Sequence, residues 1–410
     1  MRAIIKRKPE LNKEWYKGVE LVDKPEPQIT QAGEVKIKVI AAAICGTDVS
    51  IYNGTEALKN SLSVLKTPDV IIGHEFCGQL IELGSATKQH LVKLLYARQF
   101  NNKAVREFLA QHQQATLADN PALLQFLQEN FYVSAEMHII CHQCHQCRLG
   151  EGYVCRNTII KGLHQDGVFA SFVVVPVENL LLFALGEIPP EIIAFMDAIG
   201  NATHTVQSVE VKGKSVLVLG LGIQGLMAIA VAKAMGAAKI FATGVSRPDI
   251  GITPQVLEEG RFALAKKLGA DYCFDTATPE GKAALNEAIL KETDQTGVDA
   301  VLEMSGSYKA LEDGFNNVRM GGVISLLGLP SGTMAVDFSK DIIFKGLTIK
   351  GVIGRRFFST WDLMFDLLTH GLSEIILANK IVTHDLPLAR FEEGFAALNS
   401  GEALKVLLRP

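Results

Sequence analysis

From Val35 to Val39 the chain alternates apolar and polar residues, Val-Lys-Ile-Lys-Val, the period of a strand with one buried face. On this pattern residues 1 to about 86 are expected to be β-rich. Between 86 and 130 the period changes. This stretch has no glycine, is rich in Gln, Leu, Ala and Lys, and spaces its apolar residues as helices do. Leu91, Leu94 and Leu95 form one stripe, and Val105, Phe108 and Leu109 another. Asn120-Pro121 ahead of Leu123, Leu124 and Leu127 reads as the cap and first residue of a third helix. The expectation is a helical insertion over about 87–130, packed on the surface. From about 205 to 350 strands and helices alternate: Val216–Leu219, Leu226–Met235 closed by Gly236, Ile240–Thr243, Ala263–Leu268 closed by Gly269, Asp299–Glu303 and Gly322–Leu327. That order predicts an α/β fold with a doubly wound parallel sheet.

A chain of 410 residues, 48% of them hydrophobic, has material for two domain cores. Its net charge of −4 supplies no basic field, so no nucleic-acid partner is expected. The opening Met1-Arg2-Ala3-Ile4-Ile5-Lys6-Arg7-Lys8 has no apolar run behind its charges and does not read as a signal peptide. The most apolar stretch, Val216–Ala232, is broken by Gly220, Gly222, Gln224 and Gly225, and reads as strand, turn and helix rather than a membrane span. These features together predict a soluble, cytoplasmic protein with no membrane partner.

Four of the seven cysteines then change the picture. Cys141, Cys144, Cys147 and Cys155 fall in the pattern C-x2-C-x2-C-x7-C. Four thiolates that converge complete a tetrahedral zinc site with no open position, so this loop, 141–155, is expected to hold a structural zinc. Disulfides are the competing reading, disfavoured because the other three cysteines lie far apart. His142 and His145, interleaved among the thiols, are alternative ligands that a four-thiolate site does not need.

Gly220-Leu221-Gly222-Ile223-Gln224-Gly225 fits G-x-G-x-x-G where a predicted strand ends and a helix begins. Glycines there let backbone N–H groups and the helix N-terminus approach a pyrophosphate. The acidic residue that would accept from an NAD ribose is absent at the end of the next strand, which carries Gly244, followed by Ser246 and Arg247. A glycine, a hydroxyl and a guanidinium tolerate or pair with a 2′-phosphate, so the choice of NAD or NADP leans to NADP. Residues 248–260 look like a further insertion. Separately, Cys45-Gly46-Thr47-Asp48 and Gly73-His74-Glu75 supply a thiol, an imidazole and a carboxylate, a donor set for an open zinc site.

With these motifs the chain resembles the zinc-containing medium-chain alcohol dehydrogenases, and among them most closely the L-threonine 3-dehydrogenases. Further matches are Glu303-Met304-Ser305-Gly306, Leu326-Leu327-Gly328-Leu329-Pro330, and Gly354-Arg355 with Phe358, Thr360 and Trp361. The resemblance implies a GroES-like β-rich catalytic domain, 1–195 with 355–410, around a Rossmann coenzyme domain, 196–354. It implies oxidation of a secondary alcohol by NAD or NADP, with L-threonine the first substrate and a polyol, diol or sugar alcohol the alternative. Two zinc ions are implied, one structural and one catalytic, the latter on Cys45, His74 and Glu75. Asp197 stands near that metal, Thr47 is the hydroxyl that receives the substrate proton, and His138 belongs to the substrate pocket. Gln224, Arg261, Leu327, Gly328, Leu329, Val352 and Ile353 match coenzyme contacts. A homotetramer is implied as well.

Three departures stand out. Ser50 occupies the place of the family's relay histidine three residues after Thr47, and a hydroxyl is no base near neutral pH. Asp197 replaces a glutamate and draws the carboxylate back by one methylene, which leaves open direct ligation or orientation of a water. The insertion interrupts the segment before Glu136-Met137-His138; it could leave the pocket alone, cap it or alter subunit contacts. A protein that keeps the nucleotide fold for binding alone is the rival class.

Overall fold

The alternating segment becomes the strand Glu34–Ala43, with Val35, Ile37 and Val39 buried and Lys38 exposed. Lys36 breaks the simple alternation: it is buried, ion-paired to Glu26 at 2.5 Å and set over the Phe172 ring. The strand is therefore covered on both faces. It pairs antiparallel with Glu75–Leu83 and with Phe172–Pro176. Its end, Ala42 and Ala43, pairs with Leu408 and Leu407 of Lys405–Arg409, so one seven-stranded sheet joins early and late parts of the chain.

The computed structural model describes residues 1–10 and 12–410. It divides into two units, Met1–Asp197 with Ile381–Pro410, and Ala198–Lys380. The expected boundaries shift at both ends. Residues 355–380 go with the second unit because Arg355 packs on Gly200 and donates to Asn201 at 3.2 Å, while Thr360 donates to Gln207 at 2.8 Å. The helices Met196–Gln207 and Ser359–Leu367 thus share a core.

Within the first unit the predicted insertion is helical: Lys88–Ala97, Lys103–Gln111, Gln114–Leu117 and Leu123–Asn130. Leu91, Leu95, Val105, Leu123 and Leu127 bury into the same apolar core as the sheet, and Phe108 stacks on Phe126. The Asn102 side chain caps the second helix and also donates to Leu185 O at 2.8 Å. The last helix starts later than expected, at Leu123; Asn120 instead accepts from Ala122 N in the turn before it.

The second unit holds a six-stranded parallel sheet in the order Tyr272–Asp275, Lys239–Gly244, Ser215–Leu219, Val298–Glu303, Val318–Leu326, Thr348–Gly351. The strand order turns about Ser215–Leu219, the switch point at which such sheets bind ligands. Helix Ile223–Ala234 is buried from Gly225 to Ala232, so the apolar run mistakable for a membrane span is a core strand and core helix. Among the described residues no helix is long and apolar enough to cross a membrane. Residues 248–260 form a short 3-10 turn, Pro248–Ile250, and then helical turns that continue into Ala263–Leu268.

Candidate metal centres and nucleotide site

In the first unit, Cys45, His74, Glu75 and Asp197 bring one donor atom each within 4.8 Å of one another. Cys45 immediately precedes helix Gly46–Tyr52, whose buried Asp48 accepts from Cys45 N at 2.9 Å. The other Asp48 oxygen lies 3.6 Å from His74 Nδ1, near enough for charge attraction but too far for a hydrogen bond, and neither atom has a hydrogen-bond partner among the described residues. His74 and Glu75 follow Gly73, which adopts φ +90; a Cβ there would meet the Phe169 ring at 2.4 Å, so only glycine fits. Glu75 Oε2 ion-pairs with Lys405 at 2.5 Å, and neither of the two buried Glu75 oxygens accepts a regular hydrogen bond among the described residues.

The electrostatics of this cluster call for a cation. Burial, then Glu75, push the Cys45 thiol upward. Burial also raises the Glu75 carboxyl to about 7, against the pull of Lys405. Burial opposes charge on His74, yet Asp48 and Cys45 outweigh it and lift its pKa well above the ordinary histidine range. Without metal the cluster therefore holds protons on groups that a divalent ion would displace. Thiol, imidazole and carboxylate are zinc donors, and the orphaned Oε1 gives the ion a partner; the residues fit a zinc site.

The second group is the four-cysteine loop. Sγ–Sγ distances are 3.5 Å for Cys144–Cys147, 3.8 Å for Cys144–Cys155 and 3.5 Å for Cys141–Cys155. They are too long for disulfides and close to the ~3.8 Å edge of a tetrahedron with ~2.3 Å zinc–sulfur bonds. Backbone and side-chain N–H groups from Cys144 and Asn157 reach Cys141 Sγ, and hydrogen bonds of this kind, led by that from Gln143, draw its thiol down to about 6. Neither interleaved histidine joins the group. His142, with φ 54, turns its ring to Glu178 at 3.1 Å.

In the second unit, Gly220 to Gly225 link strand Ser215–Leu219 to helix Ile223–Ala234 as predicted. A Cβ on Gly225 would lie 1.8 Å from Gly220 O, so this glycine seats the helix on the strand. Gly222 differs: a Cβ there meets nothing within 4 Å, which leaves a cradle open for a ligand over the helix N-terminus. Gln224 Oε1 is buried with no partner among the described residues. Gly244 ends the neighbouring strand, walled by Phe262, Leu257 and Leu221. Ser246 N donates to Asp275 at 3.0 Å, and Arg247 and Ile252 exchange two backbone hydrogen bonds of 2.7 and 3.0 Å. The exposed Arg247 side chain thus projects from a fixed loop. Arg261, largely buried, has its pKa lowered by burial. Leu327 and Gly328 donate backbone N–H to Glu303 O, and Val352 to Leu326 O, at the carboxyl ends of their strands. Leu329 and Ile353 stand exposed beside them, 92% and 59%. All of these residues of the expected coenzyme set except Arg261, which lies within the helical turn Glu258–Phe262, gather at the strand ends where such sheets take a nucleotide.

Of the remaining expected residues, Thr47 and Ser50 share helix Gly46–Tyr52, and Thr47 Oγ1 is 3.9 Å from Cys45 Sγ. His138 meets buried Glu136 through Nδ1 at 2.7 Å. Two residues escaped the sequence reading. Asp48 had a signal, its place three residues after Cys45 at a helix start. Lys405 had none: it lies 330 positions from Glu75 in numbering, and only the sheet brings them together.

Comparison with known proteins agrees with this geometry. Residues 31–93 match the alcohol dehydrogenase GroES-like domain and 224–370 the zinc-binding dehydrogenase domain. An L-threonine 3-dehydrogenase of Caldanaerobacter subterraneus subsp. tengcongensis is 36% identical over 399 residues, 97% of each chain. One from Pyrococcus furiosus is 36% identical over 414 residues, covering 99% of this chain and 98% of its own. Solved structures of an alcohol dehydrogenase from Thermus sp. ATN1 and a 2R,3R-butanediol dehydrogenase from Bacillus subtilis superpose with a TM-score of 0.72 at 25% identity, over 100% of this chain and 99% of theirs. With two metal-ready clusters in one unit and a dinucleotide turn in the other, the chain belongs to the zinc-containing medium-chain alcohol dehydrogenases, the NAD(P)-dependent enzymes that include these L-threonine 3-dehydrogenases.

Proposed function

We propose that the protein oxidises the secondary hydroxyl of L-threonine and passes the hydride to NADP. The observation that carries this reading is the convergence of Cys45, His74, Glu75 and Asp197 in a chain 36% identical to L-threonine 3-dehydrogenases over nearly its full length. Bound zinc supplies Lewis acidity that makes an alcohol a stronger acid, and bound nicotinamide supplies the hydride acceptor. The chain's own residues do the rest. Cys45, His74 and Glu75 hold the ion, with Asp197 as fourth donor or as the group that orients a water. Asp48 places a negative charge beside the His74 ring. Thr47 takes the substrate proton at Oγ1, and Ser50, one helical turn on, hands it outward. His138, held by Glu136, lines the substrate pocket. Gly220, Gly222, Gln224, Gly225, Arg261, Leu327, Gly328, Leu329, Val352 and Ile353 bind the coenzyme. Cys141, Cys144, Cys147 and Cys155 hold the structural zinc.

NADP is placed ahead of NAD because Gly244 offers no carboxylate to a ribose, and the exposed Arg247 follows three positions on in a loop tied by its backbone hydrogen bonds with Ile252. Arg247→Ala should cut the NADP-over-NAD preference in kcat/KM by about tenfold; an unchanged ratio would remove Arg247 from the site. We also place the chain in a homo-oligomer, a tetramer by resemblance. The edge strand Thr348–Gly351 is exposed throughout and has Met320, Ile343 and Phe344 exposed around it, an apolar edge that a second copy would cover. A monomeric mass by light scattering would exclude this. We place the enzyme in the cytoplasm, where seven unpaired cysteines stay reduced.

The deciding experiment is a panel of amino alcohols, polyols and diols on zinc-loaded protein with NAD and NADP, followed by reduced-coenzyme absorbance. L-threonine should give the highest kcat/KM. A polyol or diol in first place would move the substrate and leave the reaction. Two zinc ions per chain are expected, one removed by chelator with loss of turnover. A single tight zinc and no turnover of any alcohol would make the chain a nucleotide-binding protein instead.

A further inference from the structure

Lys405 opens strand Lys405–Arg409 with its side chain 1% exposed. An ammonium so deeply buried is costly unless charged and polar partners surround it. Its partners are all tied to the catalytic metal cluster. Nζ lies 2.5 Å from Glu75 Oε2, donates to Ile44 O at 3.0 Å, and sits 5.9 Å from the centre of the Phe195 ring. Ile44 precedes Cys45, and Phe195 lies two residues before Asp197. One cation therefore touches the chain beside three of the four donors.

The strand does not need this side chain for its own pairing. Backbone register places Leu407 and Leu408 opposite Ala43 and Ala42, and Ile44 N donates to Val406 O. The charge has a different use. A thiolate and two carboxylates bring three negative charges to a site built for a dication. Both Glu75 oxygens are buried with no hydrogen bond among the described residues, and Oε2 is the one ion-paired to Lys405.

Resting on the reading that Cys45, His74, Glu75 and Asp197 hold zinc, we infer that Lys405 is a positioning residue that shares the Glu75 carboxylate with the metal. It keeps Oε2 on the ammonium, leaves Oε1 toward the ion, and offsets the third negative charge. Repulsion between the buried ammonium and a dication would then hold the metal less tightly than its donors alone, and leave it more Lewis acidity for the substrate.

The test compares Lys405→Met, Lys405→Gln and Lys405→Arg in the full-length protein, with zinc affinity read by competition against a chelator. Cobalt-substituted protein gives a spectroscopic check. In the two neutral variants, with the repelling ammonium gone, the exchangeable zinc should bind about tenfold more tightly, with a changed cobalt spectrum and lower kcat. Lys405→Arg should keep wild-type affinity, because it keeps the charge. Lys405→Gln can still donate to Glu75 and Ile44, so it separates charge from hydrogen bonding and folds more readily than the methionine. Unchanged or weaker zinc binding in a folded neutral variant would overturn the inference. Failure of both neutral variants to fold would assign Lys405 to the fold and overturn it equally. Absence of any chelatable zinc in the wild type is a different result: it would sink the functional reading itself.

Discussion

Gly222 caps helix Ile223–Ala234 at φ −71, a backbone that any residue adopts, and open space surrounds the position of its missing Cβ. Gly222→Ala should therefore melt at the wild-type temperature yet bind coenzyme at least tenfold more weakly, about 1.4 kcal/mol, as measured by titration calorimetry. Unchanged affinity would show that the pyrophosphate lies elsewhere. Its neighbour Gly225 behaves oppositely, because an added methyl collides with Gly220 O before any ligand arrives. Ser50 gives a second prediction at this scale. With a hydroxyl where a titrating imidazole would act, the pH–rate profile should lack an inflection near pH ~6–7, and Ser50→His should introduce one. An identical profile in the two proteins would take Ser50 out of the proton path.

Elements are held as much by their polar ends as by their apolar faces. Asp299 accepts from Ser215 N and Oγ at 2.9 Å each and pairs with Arg319 at 2.8 Å, so it ties the starts of three neighbouring strands. Burial works against its charge, but the Ser215 and Arg319 contacts prevail and hold its pKa below the usual carboxylate value. A depressed folded-state pKa contributes stability above the unfolded value near ~3.9, and that stability is lost as pH falls through the folded value. Asp299→Asn should cost about 1–2 kcal/mol at pH 7, and the gap should narrow below pH ~4 in thermal melts. A gap that stays constant with pH would deny the carboxylate this role. The same elements show what a sequence discloses. The buried strands Ser215–Leu219 and Val298–Glu303 announced themselves by the short apolar runs Val216–Leu219 and Ala300–Leu302. Tyr272–Asp275 and Thr348–Gly351 did not, because edge strands of four residues, half-buried or exposed, need no such run. The insertion was legible from its helical stripes, although its burial into the sheet's own core was not.

On the scale of the molecule, short motifs carried most of the site. The four-cysteine loop and the glycine turn each fit within a few residues, so spacing exposed them, whereas Cys45 and the Gly73–Glu75 step read only as a donor set that the resemblance joined into one site. What depends on distant pairing stayed hidden, Lys405 above all, and so did the assignment of 355–380 to the second unit. That division has an effect in time. The first unit is interrupted by the entire second unit, and its sheet lacks Lys405–Arg409 until residues 381–410 arrive. At ~5–20 residues per second, Ala198–Lys380 takes on the order of tens of seconds to synthesise. The later-made unit is contiguous and can fold while the earlier one waits. Throughout that interval Cys45, His74 and Glu75 are already outside the ribosome without their closing strand, so these side chains are translated long before the cage around them is complete.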